Sequence, residues 1–468
     1  MMDKLDTKQA ELGTNWERSF HLYETVIAGD EKSKRIQATF KLGRMSKHAP
    51  ENILACAIPV LVELLRSPFD NQTPSIHGAS AYCLKCIACL GEGRLAVIIG
   101  QCGAIPSLFS LLQASESNLQ MVILKCLRNM VTFSDSNRPA VVRNGGLEIV
   151  LNMLNASPDG LKRPLLEILS ALSLLREVRR VLLNSGGLRF LIESAKCGSM
   201  ASRTRAAQGI GLLGLVKRAR RTLVNFGAAA ALLDLIQNGD TSAKLVAANA
   251  LGVISSHVDY IRPVAQAGAI PVYAEILEGC EPLGKEIAED VFCILAVVEE
   301  NAAPIFQHLV RILRGSNDEA KAAAADITWH LASYKQLVSV VQDSGAIPAL
   351  VELLRSGNGD VKEKVSGAIA QFSYSKSGRV ALADSGVIPL LIQMLEDESQ
   401  ELRENAAEAL VNFSEDPSLG DRVSCVLDSP LFQDTQDRLM QIRASDARLD
   451  SSLRLLSIEH LTLDPSLS

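Results

Sequence analysis

The sequence predicts an all-α solenoid, and three observations carry that prediction. The chain repeats itself at a period near 41 residues. Each clear copy opens on a Gly-x-Ile-Pro junction, at Gly103–Pro106, Gly268–Pro271, Gly345–Pro348 and Gly386–Pro389. An apolar stripe at helical spacing follows each junction. A repeat of this length cannot bury its own apolar face, so neighbours must stack into an extended array.

The proline position serves as a ruler. Its nine occurrences are Pro59, Pro106, Glu148, Arg189, Ala230, Pro271, Gln307, Pro348 and Pro389. Successive intervals are 47, 42, 41, 41, 41, 36, 41 and 41 residues. The junction chemistry is structural. Gly345 takes a positive φ and ends one helix. Pro348 suits the first turn of the next, where an amide hydrogen has no partner. Leu350, Leu353 and Leu354 then share a face, and a polar loop, residues 356–360, leads to a longer helix. The buried stripe of that longer helix is Ala406, Ala409, Leu410 and Phe413 in the last copy. Its equivalents are Ala247, Ala250, Leu251 and Ile254, and Leu165, Ile168, Leu169 and Leu172. A short helix, as at Arg379, Val380, Ala381 and Leu382, precedes the next glycine.

Three helices per repeat with a glycine–proline junction resemble the armadillo repeat over about residues 50–425. The tandem is similar to plant-type armadillo proteins, including the repeat half of those fused to a U-box. The resemblance implies a right-handed superhelix of about nine repeats whose long helices line a concave groove. It also implies a non-enzymatic scaffold in the cytoplasm or nucleus. The expected organisation is an N-terminal helical cap over 1–57, the repeats over 58–425, and a C-terminal capping helix and tail over 426–468. Trp16, Phe20, Leu22 and Ile27, then Ile36, Phe40 and Leu42, suggest two cap helices at the start. Leu431, Phe432, Leu439, Met440, Ile442 and Leu456 suggest the one at the end, fraying after His460. Residues 1–57 are too short for a U-box.

Composition agrees. Hydrophobic residues make up 47% and aromatics only 4%, so leucine and alanine build the core. The polar start argues against a signal peptide. No apolar run approaches the length of a membrane span. Ten cysteines without a secretory signal read as reduced thiols. Two intervals depart from the period. The long one implies an inserted loop over residues 67–74, and the short one implies a lost or shortened helix before residue 304, with a bend there.

No phosphate loop, dinucleotide fingerprint, zinc-protease motif or nucleophile elbow is present. No cofactor is expected. Cys83, Cys86 and Cys89 have a metal-like spacing, but they fall on a helix and no partner quartet follows, so no metal site is expected.

Candidate binding residues come from helix phase and charge. Counted from the ruler, positions 19, 22 and 23 of each long helix face away from the core. They supply Asn129, Gln208, Asn249, His330, Gln371 and Asn412, with Trp329 as the one large aromatic. Importin-α-type receptors carry Trp at position 19 and Asn at position 23. This chain does not repeat that array, which disfavours a nuclear-localisation-signal receptor. Residues 162–221 hold 13 Lys/Arg against three acids, whereas 396–416 hold eight acids against Arg403. Arg176, Arg179 and Arg180 recur one repeat later as Lys217, Arg218, Arg220 and Arg221, a basic stripe suited to an acidic protein segment. The alternatives are a substrate-recognition component of a ubiquitin-ligase pathway and a membrane adaptor using anionic lipid. Nucleic acid is disfavoured, because the chain carries a net charge of −6 and no aromatics interleave its basic residues.

Overall fold

The computed structural model describes residues 15–68, 75–156, 159–334 and 337–455, and among them the regular structure is helical throughout. The chain divides into two compact units at Ile254/Ser255.

In the first unit the long helices are Ile76–Ile87, Ser117–Phe133, Asp159–Leu172, Met200–Gly214 and Thr241–Ser255. Successive members pack side by side. Small residues allow this approach. A Cβ on Gly211 would stand 3.0 Å from that of Ala250 on the next long helix, so a larger side chain would force the two apart. The signature helices, such as Ala104–Ala114 and Ala228–Asn238, form a second layer beneath. The second unit repeats the plan with long helices Pro282–Ala296, Asp318–Ala332, Gly359–Ser373 and Gln400–Ser414.

The junction behaves as its chemistry requires. Gly345 has φ +77° and caps both Val338–Ser344 and Ala346–Ser356, and Gly386 repeats it at φ +75°. Long helices begin on short polar caps that accept an orphan amide hydrogen. Ser75 accepts from the Gly78 amide at 3.1 Å and Asn358 from Val361 at 3.0 Å. The predicted stripes are buried: Leu410, Phe413, Leu251 and Leu165 are fully inaccessible.

The two copies without a junction glycine lose the junction itself. Helix Glu51–Arg66 runs unbroken, with Pro59 in its interior rather than in its first turn. Proline at that depth removes one helix hydrogen bond. Before residue 304 the short helix shrinks to the 3₁₀ turn Glu299–Asn301, as the short interval implied. Of the inserted loop, residues 69–74 lie outside the described residues.

Helices Trp16–Ala28 and Lys32–Met45 precede the repeats, and the second packs on long helix Ile76–Ile87. Here the expected face shifts. Leu22 is exposed, and Tyr23 is buried instead, its hydroxyl 3.3 Å from that of Thr39. At the other end Pro430–Leu455 lies on Gln400–Ser414 through Phe432 and Leu439. Met440 and Ile442 are exposed. Leu456 and His460 lie outside the described residues.

Leu410→Ala should cost about 2–5 kcal/mol, the range for emptying a buried leucine site. Chemical denaturation of the full chain measures it, and a near-neutral result would contradict the assigned helix phase.

Candidate protein-binding surfaces

Position 23 of the long helices does not simply face solvent. Because these helices lie side by side, a side chain there reaches back to the long helix of the preceding repeat. Asn129 is buried; its Nδ2 donates to the Lys85 carbonyl at 2.8 Å, and its Oδ1 accepts from Arg128 Nη2 at 2.8 Å. Asn412 is buried as well; it donates to Ser373 Oγ at 2.8 Å and accepts from Arg443 Nη2 at 2.8 Å. Both were expected on the open surface. They are instead polar clips between repeats, with their hydrogen-bonding capacity largely spent. Gln208 and Asn249 are exposed, and Gln371 is half-buried. Trp329 is half-buried, with its indole 3.4 Å from where a Cβ on Gly367 would sit.

The basic stripe separates into two sets. Arg179 Nη1 donates to the carbonyls of Ser173 and Leu174, at 3.0 and 2.7 Å. Arg220 Nε donates to the Gly214 carbonyl. In each case a guanidinium on the short helix caps the end of the long helix before it, where carbonyls lack intrahelical partners. The same device recurs at Arg138, which reaches the Val131 carbonyl at 3.1 Å, and at Arg379, which reaches that of Ser373 at 2.9 Å. Burial lowers the Arg179 pKa, and Arg176 beside it acts in the same direction. Arg179 and Arg220 therefore each spend a donor within the scaffold, an engagement their reading as recognition residues did not include. Sequence held the signal: Arg138, Arg179 and Arg220 are one period apart.

Arg176, Arg180, Lys217, Arg218 and Arg221 form the second set. All five are exposed, and none forms an ion pair among the described residues. Helix Arg176–Asn184 and the residue after helix Lys217–Asn225 also border an open cleft of about 620 Å³, lined by Val181, Phe190 and Phe226. Phe226 and Val181 leave substantial apolar area exposed there.

Charge is also uneven on the long helices of this unit. Glu167, nearly inaccessible, takes Arg128 Nη1 at 3.2 Å, Arg163 Nε at 3.5 Å and the Ser199 amide at 3.1 Å. Arg205 lies close by with a pKa lowered first by burial and then by Arg138. Guanidinium groups therefore outnumber carboxylates around Glu167. Helix phase alone did not single this cluster out, because its members occupy different positions of their repeats.

In the second unit the balance reverses. His330 is exposed, with Nδ1 3.0 Å from Glu289 Oε1, and its ring lies nearly parallel to that of Trp329. Asp326, one turn before His330, faces Lys364 Nζ at 3.3 Å. The Glu289 pKa is raised, chiefly by burial and then by Asp326, with His330 opposing. Among the last acids, Asp416 is held down to about 2 by Ser418, which bonds it through both hydroxyl and amide, and then by Arg379. Glu408 accepts from the Tyr374 hydroxyl at 2.8 Å. Part of the acidic segment is thus engaged within the fold.

Residues 335–373 and 375–415 match the armadillo/beta-catenin-like repeat family. No curated protein matches the chain. Among solved structures, the crystal structure of an engineered protein is 21% identical with a TM-score of 0.63, covering 84% of this chain and 98% of its own. A designed armadillo repeat protein in complex with the peptide (KR)4 is 19% identical, with a TM-score of 0.40 over 48% of this chain and 99% of its own. The first likeness supports an all-α solenoid fold.

Arg179→Ala should cost about 1–3 kcal/mol, because it strands carbonyls capped by a charged donor. Arg180→Ala should stay within about 0.5 kcal/mol, as an exposed substitution without a partner. Parallel denaturation curves test the division, and equal losses would refute it.

The Asp416 carboxylate has a depressed folded-state pKa, so its contribution is present above its unfolded value and disappears as pH falls through about 2. The stability gap between wild type and Asp416→Asn should therefore narrow as pH drops from about 4 toward 2. Urea titrations at several pH values measure it, and a constant gap would count against this linkage.

Proposed function

We propose that this armadillo-repeat chain is a non-enzymatic scaffold, and that its first unit holds an extended acidic segment of a partner protein. The observation that carries the reading is the set Arg176, Arg180, Lys217, Arg218 and Arg221. These five cations are exposed and form no ion pair among the described residues; Arg176 with Lys217 and Arg180 with Arg221 occupy matching positions in successive repeats, and Arg218 adds to the second. Surface cations with carboxylate neighbours are already neutralised, whereas these remain available for charge-assisted hydrogen bonds. The cleft beside Val181, Phe190 and Phe226 would take an apolar anchor flanked by the acidic residues. Surplus guanidinium around Glu167 extends the same preference onto the long helices. Gln208 and Asn249, exposed on that face, would contribute neutral hydrogen bonds to the same segment. The compartment consistent with this role is the cytoplasm or nucleus.

The test uses a five-residue charge reversal to Glu at Arg176, Arg180, Lys217, Arg218 and Arg221, with the capping residues Arg179 and Arg220 left intact. Proximity labelling in cells compares this variant with wild type, and a melting curve verifies that it folds. Loss of a defined set of partners, with binding to an acidic peptide that weakens as salt rises, would support the reading. An unchanged partner list would reject it. Loss of binding to anionic vesicles, with protein partners retained, would replace the acidic peptide by a membrane surface.

A further inference from the structure

We propose that Glu289, Asp326 and His330 form a binding site for a divalent transition-metal ion, zinc above all, which ties two neighbouring long helices of the second unit together. The proposal is independent of the acidic-segment reading, since these residues belong to the other unit.

The donors come from two adjacent helices, Glu289 from Pro282–Ala296 and Asp326 and His330 from Asp318–Ala332. Asp326 and His330 are four residues apart, the spacing that places two side chains on one helical face. One candidate ligand atom from each of the three residues lies within 4.8 Å of the other two. The His330 Nδ1 to Glu289 Oε1 separation is 3.0 Å. Tetrahedral zinc with bonds of about 2.0–2.1 Å sets neighbouring ligands roughly 3.3 Å apart. That pair therefore already spans about one tetrahedral edge, and small side-chain rotations would bring Asp326 in.

Two further features favour an ion. Asp326 Oδ1 is shielded from solvent and makes no well-formed hydrogen bond, its charged neighbour being the Lys364 ammonium at 3.3 Å. A shielded anionic oxygen held only by a loosely placed ammonium gains from closer coordination by a divalent cation. The His330 ring is also stacked beside Trp329, with centroids 5.7 Å apart and an angle of 12° between planes, which limits its rotation. One imidazole and two carboxylates suit zinc better than calcium or magnesium, which favour all-oxygen sites. Water would complete the shell.

The competing arrangement is a plain charge ladder, with His330 paired to Glu289 and Lys364 to Asp326. Lys364 is the discriminating residue. Its ammonium occupies the side of Asp326 that the metal would need, so it competes with the ion. Removing it should strengthen metal binding but weaken a ladder.

Cobalt(II), a spectroscopic stand-in for zinc, is titrated into the full-length chain. The expected result is a saturable visible absorption band, displaced by zinc. Asp326→Asn and His330→Ala should each weaken binding by at least about 100-fold, since they remove ligands rather than outer-shell supports. Lys364→Met should tighten it, and zinc should raise the melting temperature of wild type but not of His330→Ala. Cys280→Ser, which alters an exposed thiol elsewhere, should leave the band unchanged. The proposal is overturned if wild type shows no such band, or if the band persists in both ligand variants. It is equally overturned if the band disappears in Cys280→Ser or if Lys364→Met does not bind more tightly. The wild-type and Lys364→Met titrations decide the matter even if a ligand variant fails to fold.

Discussion

Side-by-side packing of the long helices is the constraint on which each unit depends. A single repeat leaves the stripe typified by Ala406, Ala409, Leu410 and Phe413 without a complete cover. Burial of that stripe comes only from the layer beneath and from the repeats on either side. The approach is close because alanine and glycine occupy the contact positions, as where Gly211 faces Ala250. Close approach in turn brings polar side chains within reach of the neighbouring backbone. Asn129 and Asn412 become clips between helices for this reason.

The repeat junction supplies the second requirement, a sharp reversal that returns the chain to the array. Glycine at positive φ turns the chain, and arginine on the short helix satisfies the carbonyls left at the end of the long helix before it. These two devices travel together at one-period spacing. Where the junction glycine is absent, the junction goes with it: Glu51–Arg66 continues as one helix, and a 3₁₀ turn replaces the short helix before residue 302. The short interval in the period is thus a local loss of turn chemistry, with side-by-side packing of long helices retained on its far side.

Function in such an array resides in whatever the packing leaves unspent. In the first unit the unspent groups are cations: the exposed set on the two short helices and the guanidinium surplus around Glu167. In the second, Glu289 and Asp326 cluster beside the Trp329 and His330 rings, paired with His330 and Lys364. The charge balance of these regions is therefore opposite in the two units.

Sequence by itself determined the helical class, the period, the junction and the identity of the buried stripe, because each rests on interactions between residues close along the chain. The positive φ of Gly345 and the burial of Leu410 follow from spacing and residue type alone. Tertiary structure alone decided which outward positions remain open. Asn129 and Asn249 belong to the same polar class and to the same helical face in sequence. Yet one is buried in a clip and the other is exposed, because a neighbouring helix supplies a partner carbonyl at only one of them. Arg179 and Arg180 differ in the same way. They are adjacent in the chain, but the helix turn aims one at a carbonyl-rich helix end and the other at solvent. The Glu289–Asp326–His330 cluster was equally hidden, since its members are 37 and 41 residues apart in the chain and meet only when two repeats stack.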